Sequence, residues 1–347
     1  MYKLEKILRT AVQYRASDVF IGTGIKPTLR INGDLVKIDE HPVLTKKMAE
    51  EYLLEILTPE QKVHFQQSLD FDLSLDIETI SRFRVNMFVQ RKGISAVFRL
   101  IPENVLTVDE LGLPSQVKKA TGFKNGLVII TGPTGSGKTT TMAAMINEIN
   151  RTQKKHIITV EDPIEYVHKD NMCVIQQREI GIHTHSFQKA LRGALRENPD
   201  VILLGEMRDL ETMRQAITAA ETGHLVFATL HTSGCANSIN RIIDSFPADQ
   251  QNQIRTQLSE SLRAVFWQTL IKTKDGKGRI AGLEVMFVNP GISNMIRKGT
   301  THQINSTIET SSKEGMQTMK KAVTDLFQAG LITEESALEN IPREFEA

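Results

Sequence analysis

The chain has 347 residues, enough for two domains of ordinary size, each with its own core. Hydrophobic residues make up 40% and charged residues 24%, which excludes a disordered or fibrous chain. With 42 basic against 41 acidic residues the net charge is +1, which argues against a dedicated nucleic-acid binder, and no apolar run approaches the roughly 20 residues of a membrane helix.

In chain order, MYKLEKILRTAVQYR sets Leu4, Ile7, Leu8 and Val12 at helical spacing among charges, predicting an amphipathic helix and not a signal peptide. TLRINGDLVKI predicts a hairpin turning at Asn32, Gly33 and Asp34. Thr58 followed by Gln61 predicts a capping box that opens a short helix at Pro59. SRFRVNMFVQ and ISAVFRL predict strands joined at Arg91-Lys92-Gly93. In the first, Phe83, Val85, Met87 and Val89 share one face and Arg82, Arg84 and Asn86 the other; in the second, Arg99 faces away from Ile94, Ala96, Phe98 and Leu100. IPENVLTVDELGLP has the composition of a linker. From Leu111 onward, apolar strand-like runs alternate with helical patterns, which predicts an α/β fold with a parallel sheet and helices on its faces. Cys173 and Cys235 lie far apart, outside any C-x-x-C, and read as reduced thiols with no zinc site.

GLVIITGPTGSGKTTT carries the clearest chemistry. Gly132 to Thr139 fits G-x-x-x-x-G-K-T in full, after a strand and before a helix. The predicted ATP cradle is Gly132, Pro133, Thr134, Gly135, Ser136, Gly137, Lys138, Thr139 and Thr140. Glycines let backbone N–H groups close on phosphate oxygens, and the helix N-terminus adds a favourable dipole. Lys138 is expected to bridge the β and γ phosphates, and Thr139 to offer its hydroxyl to Mg²⁺.

Three further apolar runs end in polar groups. HIITVEDPIE delivers Glu161, Asp162 and Glu165; DVILLGEMRD delivers Glu206; HLVFATLHT delivers Thr229 and His231. If these strands lie parallel beside the phosphate-loop strand, all three clusters meet at the carboxyl edge of one sheet, where ligands bind. Glu206 then reads as the acid that holds Mg²⁺ directly or through water, and Glu161 as the group that polarises the attacking water. His231 reads as a γ-phosphate sensor. His224 lies seven residues away, roughly 23 Å along a strand. It therefore serves a subunit contact or is a satisfied strand-start histidine. His183 and His185 read as a surface turn. Arg208 reads as a group pointing toward a neighbouring subunit or, the stronger reading, a helix-start surface charge paired with Asp209 or Glu211. Arg84 and Arg99, on adjacent strands, read as a guanidinium pair able to clamp a phosphate.

The phosphate loop, ITVEDPIE, VILLGEMRD and ETGHLVFATLHT occur in the order of the Asp box, Walker B variant and His box of the type II/IV secretion ATPases. The chain resembles that family over essentially its whole length, and most nearly its pilus retraction ATPases. The resemblance implies a PAS-like domain over residues 1–100, a linker over 101–112, and a RecA-like ATPase domain with a C-terminal helical segment over 113–347. It further implies a homo-hexamer at the cytoplasmic face of the inner membrane, using ATP and Mg²⁺ to drive pilin depolymerisation and twitching motility. Glu161 and Glu206 would be essential to hydrolysis, and Arg84 and Arg99 match the arginines of the PAS-like hairpin. The implied partners are a membrane platform protein and a paralogous retraction ATPase.

A departure falls in GISNMIRK, where Gly291, Ser293, Met295 and Lys298 differ from the family's A-I-R-N-L-I-R-E helix. Ile292, Met295 and Ile296 still share a helical face. The rival readings are an extension or secretion ATPase, an accessory retraction ATPase, a non-hydrolysing nucleotide-gated scaffold, against which Lys138, Thr139, Glu161 and Glu206 argue, and a DNA-translocating motor, of whose basic channel the near-zero net charge gives no sign. The first is disfavoured because LIKTKDGKGRIAGLEV passes without the tetracysteine zinc insertion, and because the N-terminal region is short.

Overall fold

The computed structural model describes residues 3–31, 33–77, 79–101 and 104–341. The expected turn residue Asn32, linker residues Pro102 and Glu103, and the termini Met1, Tyr2 and 342–347 lie outside the described residues. The chain divides into two compact units. One runs to Asn104 and takes in Pro163–Tyr166; the other holds Val105–Asp162 and the chain from Val167.

The first unit is built on a six-stranded antiparallel sheet. Its strands are β1 (Asp18–Gly22), β2 (Thr28–Ile31), β3 (Asp34–Lys37), β4 (Asp70–Ile77), β5 (Ser81–Gln90) and β6 (Gly93–Ile101), in the order β3-β2-β1-β6-β5-β4. The amphipathic helix Glu5–Gln13 buries Leu4, Ile7 and Leu8 in one cluster with Phe83, Val85, Met87 and Phe98. The capping box forms as expected: the Thr58 hydroxyl accepts from Gln61 N–H, and Gln61 Oε1 accepts from Thr58 N–H at 3.0 Å. Val89 departs from the expected apolar face and is 46% exposed, because it stands next to the end of β5 and runs past the core that holds Met87.

The second unit holds a seven-stranded sheet of β7 (Gly126–Thr131), β8 (His156–Glu161), β9 (Val174–Glu179), β10 (Val201–Leu204), β11 (Leu225–Leu230), β12 (Leu262–Lys272) and β13 (Arg279–Phe287), ordered β13-β12-β7-β11-β10-β8-β9. Strands β7, β10 and β11 are buried along their whole length, which is why they read as unbroken apolar runs. Helices such as Lys138–Thr152 and Cys235–Asp244 pack Met142, Ile146, Ile239 and Ile242 into that core. The alternation predicts a wholly parallel sheet, and the structure departs from that at one edge. β13 runs antiparallel to β12, since the tight Thr273–Gly278 turn is too short for a crossover. The helix Pro290–Lys298 is capped by Asn289, whose side chain accepts from Ile292 N–H at 3.0 Å, and it buries Ile292 and Ile296 fully.

Candidate functional site

The strands β12, β7, β11, β10, β8 and β9 are parallel neighbours in that order, so their carboxyl ends share one edge. Thr131 stands level with Leu230, and Leu204 with both Ala228 and Val160. The phosphate loop leaves β7, His231 follows β11, Glu206 follows β10 and Glu161 closes β8. At one strand spacing each, β8 lies roughly 14 Å from β7, so Glu161 stands farthest from the loop strand.

The loop has the geometry of an anion cradle. Gly132, Gly135 and Gly137 take φ of +148°, +77° and +84°, a range that side chains rarely adopt. Pro133, Thr134 and Gly135 are exposed at the apex, while Gly132, Ser136 and Lys138 are buried and Thr139 and Thr140 half-buried. Lys138 Nζ donates to the loop's own carbonyls, Gly132 O at 2.9 Å and Pro133 O at 3.0 Å. The buried Ser136 hydroxyl has no hydrogen-bond partner. Gly137 caps the 15-residue helix Lys138–Thr152, and its φ is left-handed, which aims the first turn's free N–H groups at the loop. An ammonium resting on replaceable carbonyls, an orphaned hydroxyl and a helix N-terminus together fit a polyphosphate.

Glu206 is held on two sides. Arg208 Nε donates to its Oε2 at 2.8 Å, and His231 Nε2 lies 3.3 Å from its Oε1. The segment carrying it is pinned by Gly205 N–H to Val160 O, Met207 N–H to Thr229 O, and the Thr229 hydroxyl to Gly205 O. Arg208 therefore pairs with Glu206 and not with Asp209 or Glu211. Asp209 instead caps the helix Leu210–Glu221 through Thr212 N–H, and Glu211 meets Arg192. Burial pushes the Asp209 carboxyl up, but the Thr212 N–H and hydroxyl and the Gln188 amide outweigh it and leave the group below its ordinary value. Glu161 is buried and accepts from the Thr159 hydroxyl at 2.6 Å and the Gln177 amide at 3.2 Å, both on Oε1.

The rest of the expected set disperses. Asp162 is exposed, and Glu165 falls in the segment grouped with the first unit, 3.9 Å from Arg84. Arg84 and Arg99 are direct cross-strand partners on β5 and β6, and Arg99 Nε donates to the buried Asp18 at 3.0 Å. His224 sits at the amino end of β11, where its Nδ1 lies 3.0 Å from Ala219 O. His183 Nδ1 accepts from Glu179 N–H, so this ring tethers a turn.

Motif reading passed over Gln177 and Gln268. Gln268 is 1% exposed on β12, where its Nε2 donates to Ser136 O at 2.7 Å and its Oε1 accepts from the Thr141 hydroxyl at 2.8 Å. The signal available was an amide inside the otherwise apolar VFWQTLI.

Compared with known proteins, the chain matches the family described as type II/IV secretion system protein over residues 2–339. It is 46% identical over 344 residues to the type IV pilus retraction ATPase PilT of Pseudomonas aeruginosa, covering 99% of each chain. It is 41% identical over 336 residues to the type IV pilus ATPase PilU of the same organism, covering 97% of this chain and 90% of that one. A crystal structure of the pilus retraction motor PilT with bound ADP shares its fold at a TM-score of 0.92 and 41% identity, covering 100% of this chain and 99% of that one. The phosphate loop, the aligned strand ends and these full-length likenesses lead to one assignment: the chain belongs to the type II/IV secretion system protein family.

Proposed function

We propose that the chain is an ATP-hydrolysing motor subunit that drives type IV pilus retraction, and with it twitching motility. The observation that carries this reading is a complete phosphate loop beside a Glu206–His231 pair, in a chain 46% identical over nearly its whole length to a retraction ATPase. The reaction is ATP plus water to ADP plus phosphate. Loop N–H groups and Lys138 hold the phosphates, with Lys138 exchanging its present carbonyl partners for phosphate oxygens. Glu161, fixed by Thr159 and Gln177, orients the attacking water. His231 reports the γ-phosphate through its contact with Glu206. Thr139 and Glu206 supply hard oxygen donors of the kind Mg²⁺ prefers, and they are the residues that would hold it. When bound, the ion neutralises charge on the phosphate oxygens. Arg84 and Arg99, cross-strand partners in the first unit, are the guanidinium pair with the chemistry to meet a phosphate.

The domain names follow the same reading: a PAS-like unit over 1–100, a linker over 101–112 and a RecA-like ATPase unit over 113–347. The working state is a homo-hexamer at the cytoplasmic face of the inner membrane, gripping a platform protein and serving beside a paralogous ATPase. No helix among the described residues is long and apolar enough to cross a membrane.

Steady-state hydrolysis by the purified chain tests the site. Lys138→Ala and Glu161→Gln are expected to lower kcat by on the order of a hundredfold or more, and Arg84→Ala to lower it clearly. Full turnover in Lys138→Ala or Glu161→Gln would mean that the residues are assigned wrongly.

A further inference from the structure

Gln268 is buried mid-strand in β12, where an amide is retained at a cost unless its hydrogen bonds are made. Both are made, and both go to the phosphate loop and the helix it opens: Nε2 to Ser136 O at 2.7 Å, and Oε1 from the Thr141 hydroxyl at 2.8 Å. The loop glycines face the same residue. A Cβ on Gly132 would stand 2.2 Å from Gln268 O, and one on Gly137 would stand 2.9 Å from Gln268 Nε2. The glutamine thus forms the back wall of the cradle.

The consequence follows from peptide planarity. In a trans peptide the C=O and the next N–H point opposite ways. Fixing Ser136 O against Gln268 therefore turns the Gly137 N–H away from β12. That N–H belongs to the helix-capping residue, among the donors a phosphate would meet. We propose that Gln268 is a positioning residue for nucleotide binding, setting the Ser136–Gly137 peptide in its anion-binding orientation. The proposal rests on the nucleotide-site reading. A peptide fixed before binding serves substrate, transition state and product alike, so its loss weakens binding without changing the chemical step.

The test is titration of the full chain with the fluorescent analogue mant-ADP, alongside steady-state ATP hydrolysis and thermal unfolding without nucleotide. Gln268→Glu keeps the shape and the acceptor for Thr141 and, where its carboxyl is ionised, removes the donor to Ser136; Gln268→Met keeps the volume and removes the donor at every pH. Both variants are expected to raise the mant-ADP Kd and the KM for ATP by on the order of tenfold, with kcat within about twofold of wild type. A folded Gln268→Met chain with wild-type Kd and KM would overturn the proposal, as would a fall in kcat at unchanged KM. A lowered unfolding temperature with unchanged Kd would reduce Gln268 to a packing role and overturn it too. Wild type failing to bind mant-ADP would overturn the nucleotide-site reading along with the proposal, whereas equal binding by wild type and variants sinks the proposal alone.

Discussion

A buried carboxylate needs donors, and Glu161 receives two on one oxygen, from Thr159 and Gln177. Gln177 continues the chain by accepting from His168 N–H at 2.8 Å. Glu161, proposed above to orient water, is thus tied through one amide to the backbone of His168. Burial pushes the His168 imidazole down to about 4 from an ordinary 6.5. A folded state that resists a proton which the unfolded chain accepts loses stability as pH falls. The contribution of His168 is present in full above its unfolded value near 6.5 and lost as pH falls from there through about 4. The unfolding temperature of wild type should therefore drop more steeply across this window than that of His168→Gln, and parallel curves would contradict the assignment. Glu161, Glu206 and Lys138 were legible because each ends an apolar run or sits in a spaced motif. Gln177 and Gln268 were not, since their partners Glu161, Ser136 and Thr141 come close only through strand pairing.

Elements closed by local rules were legible at their ends. Thr58, Pro59 and Gln61 spell a helix start, and the structure forms both halves of the box. A second cap, which the sequence reading passed over, is Asn289 before Pro290. Its Oδ1 accepts from Ile292 N–H, and its Nδ2 donates to Glu314 at 3.0 Å. Asn289→Ala should cost about 1 kcal/mol, read as a lower urea midpoint at unchanged slope; no shift would mean that the cap contributes nothing. The β12–β13 pair was missed, because a long antiparallel hairpin appended to parallel strands has the same apolar runs as another crossover unit. Register was likewise out of reach. Arg84 opposite Arg99 places like charges face to face, an arrangement that costs stability, which the nearby Asp18 and Glu165 offset in part.

At the scale of the molecule, the second unit lines its chemistry along one sheet edge, with the phosphate loop, His231, Glu206 and Glu161 on successive strands β7, β11, β10 and β8. This order has a physical origin: parallel strands with helical crossovers deliver every carboxyl end to the same side. It was readable from three apolar runs ending in polar groups. The mechanical output was not, because nothing in a single chain's burial or charge names the fibre it acts on. That part rests on likeness to retraction ATPases, with which this chain shares its full span. The measurement that tests it most directly is surface piliation and twitching in the parent bacterium lacking the gene, complemented with wild type or Lys138→Ala. The account predicts excess surface pili without twitching, rescued only by wild type. Bald cells, or cells that are normally piliated and still twitch, would contradict it.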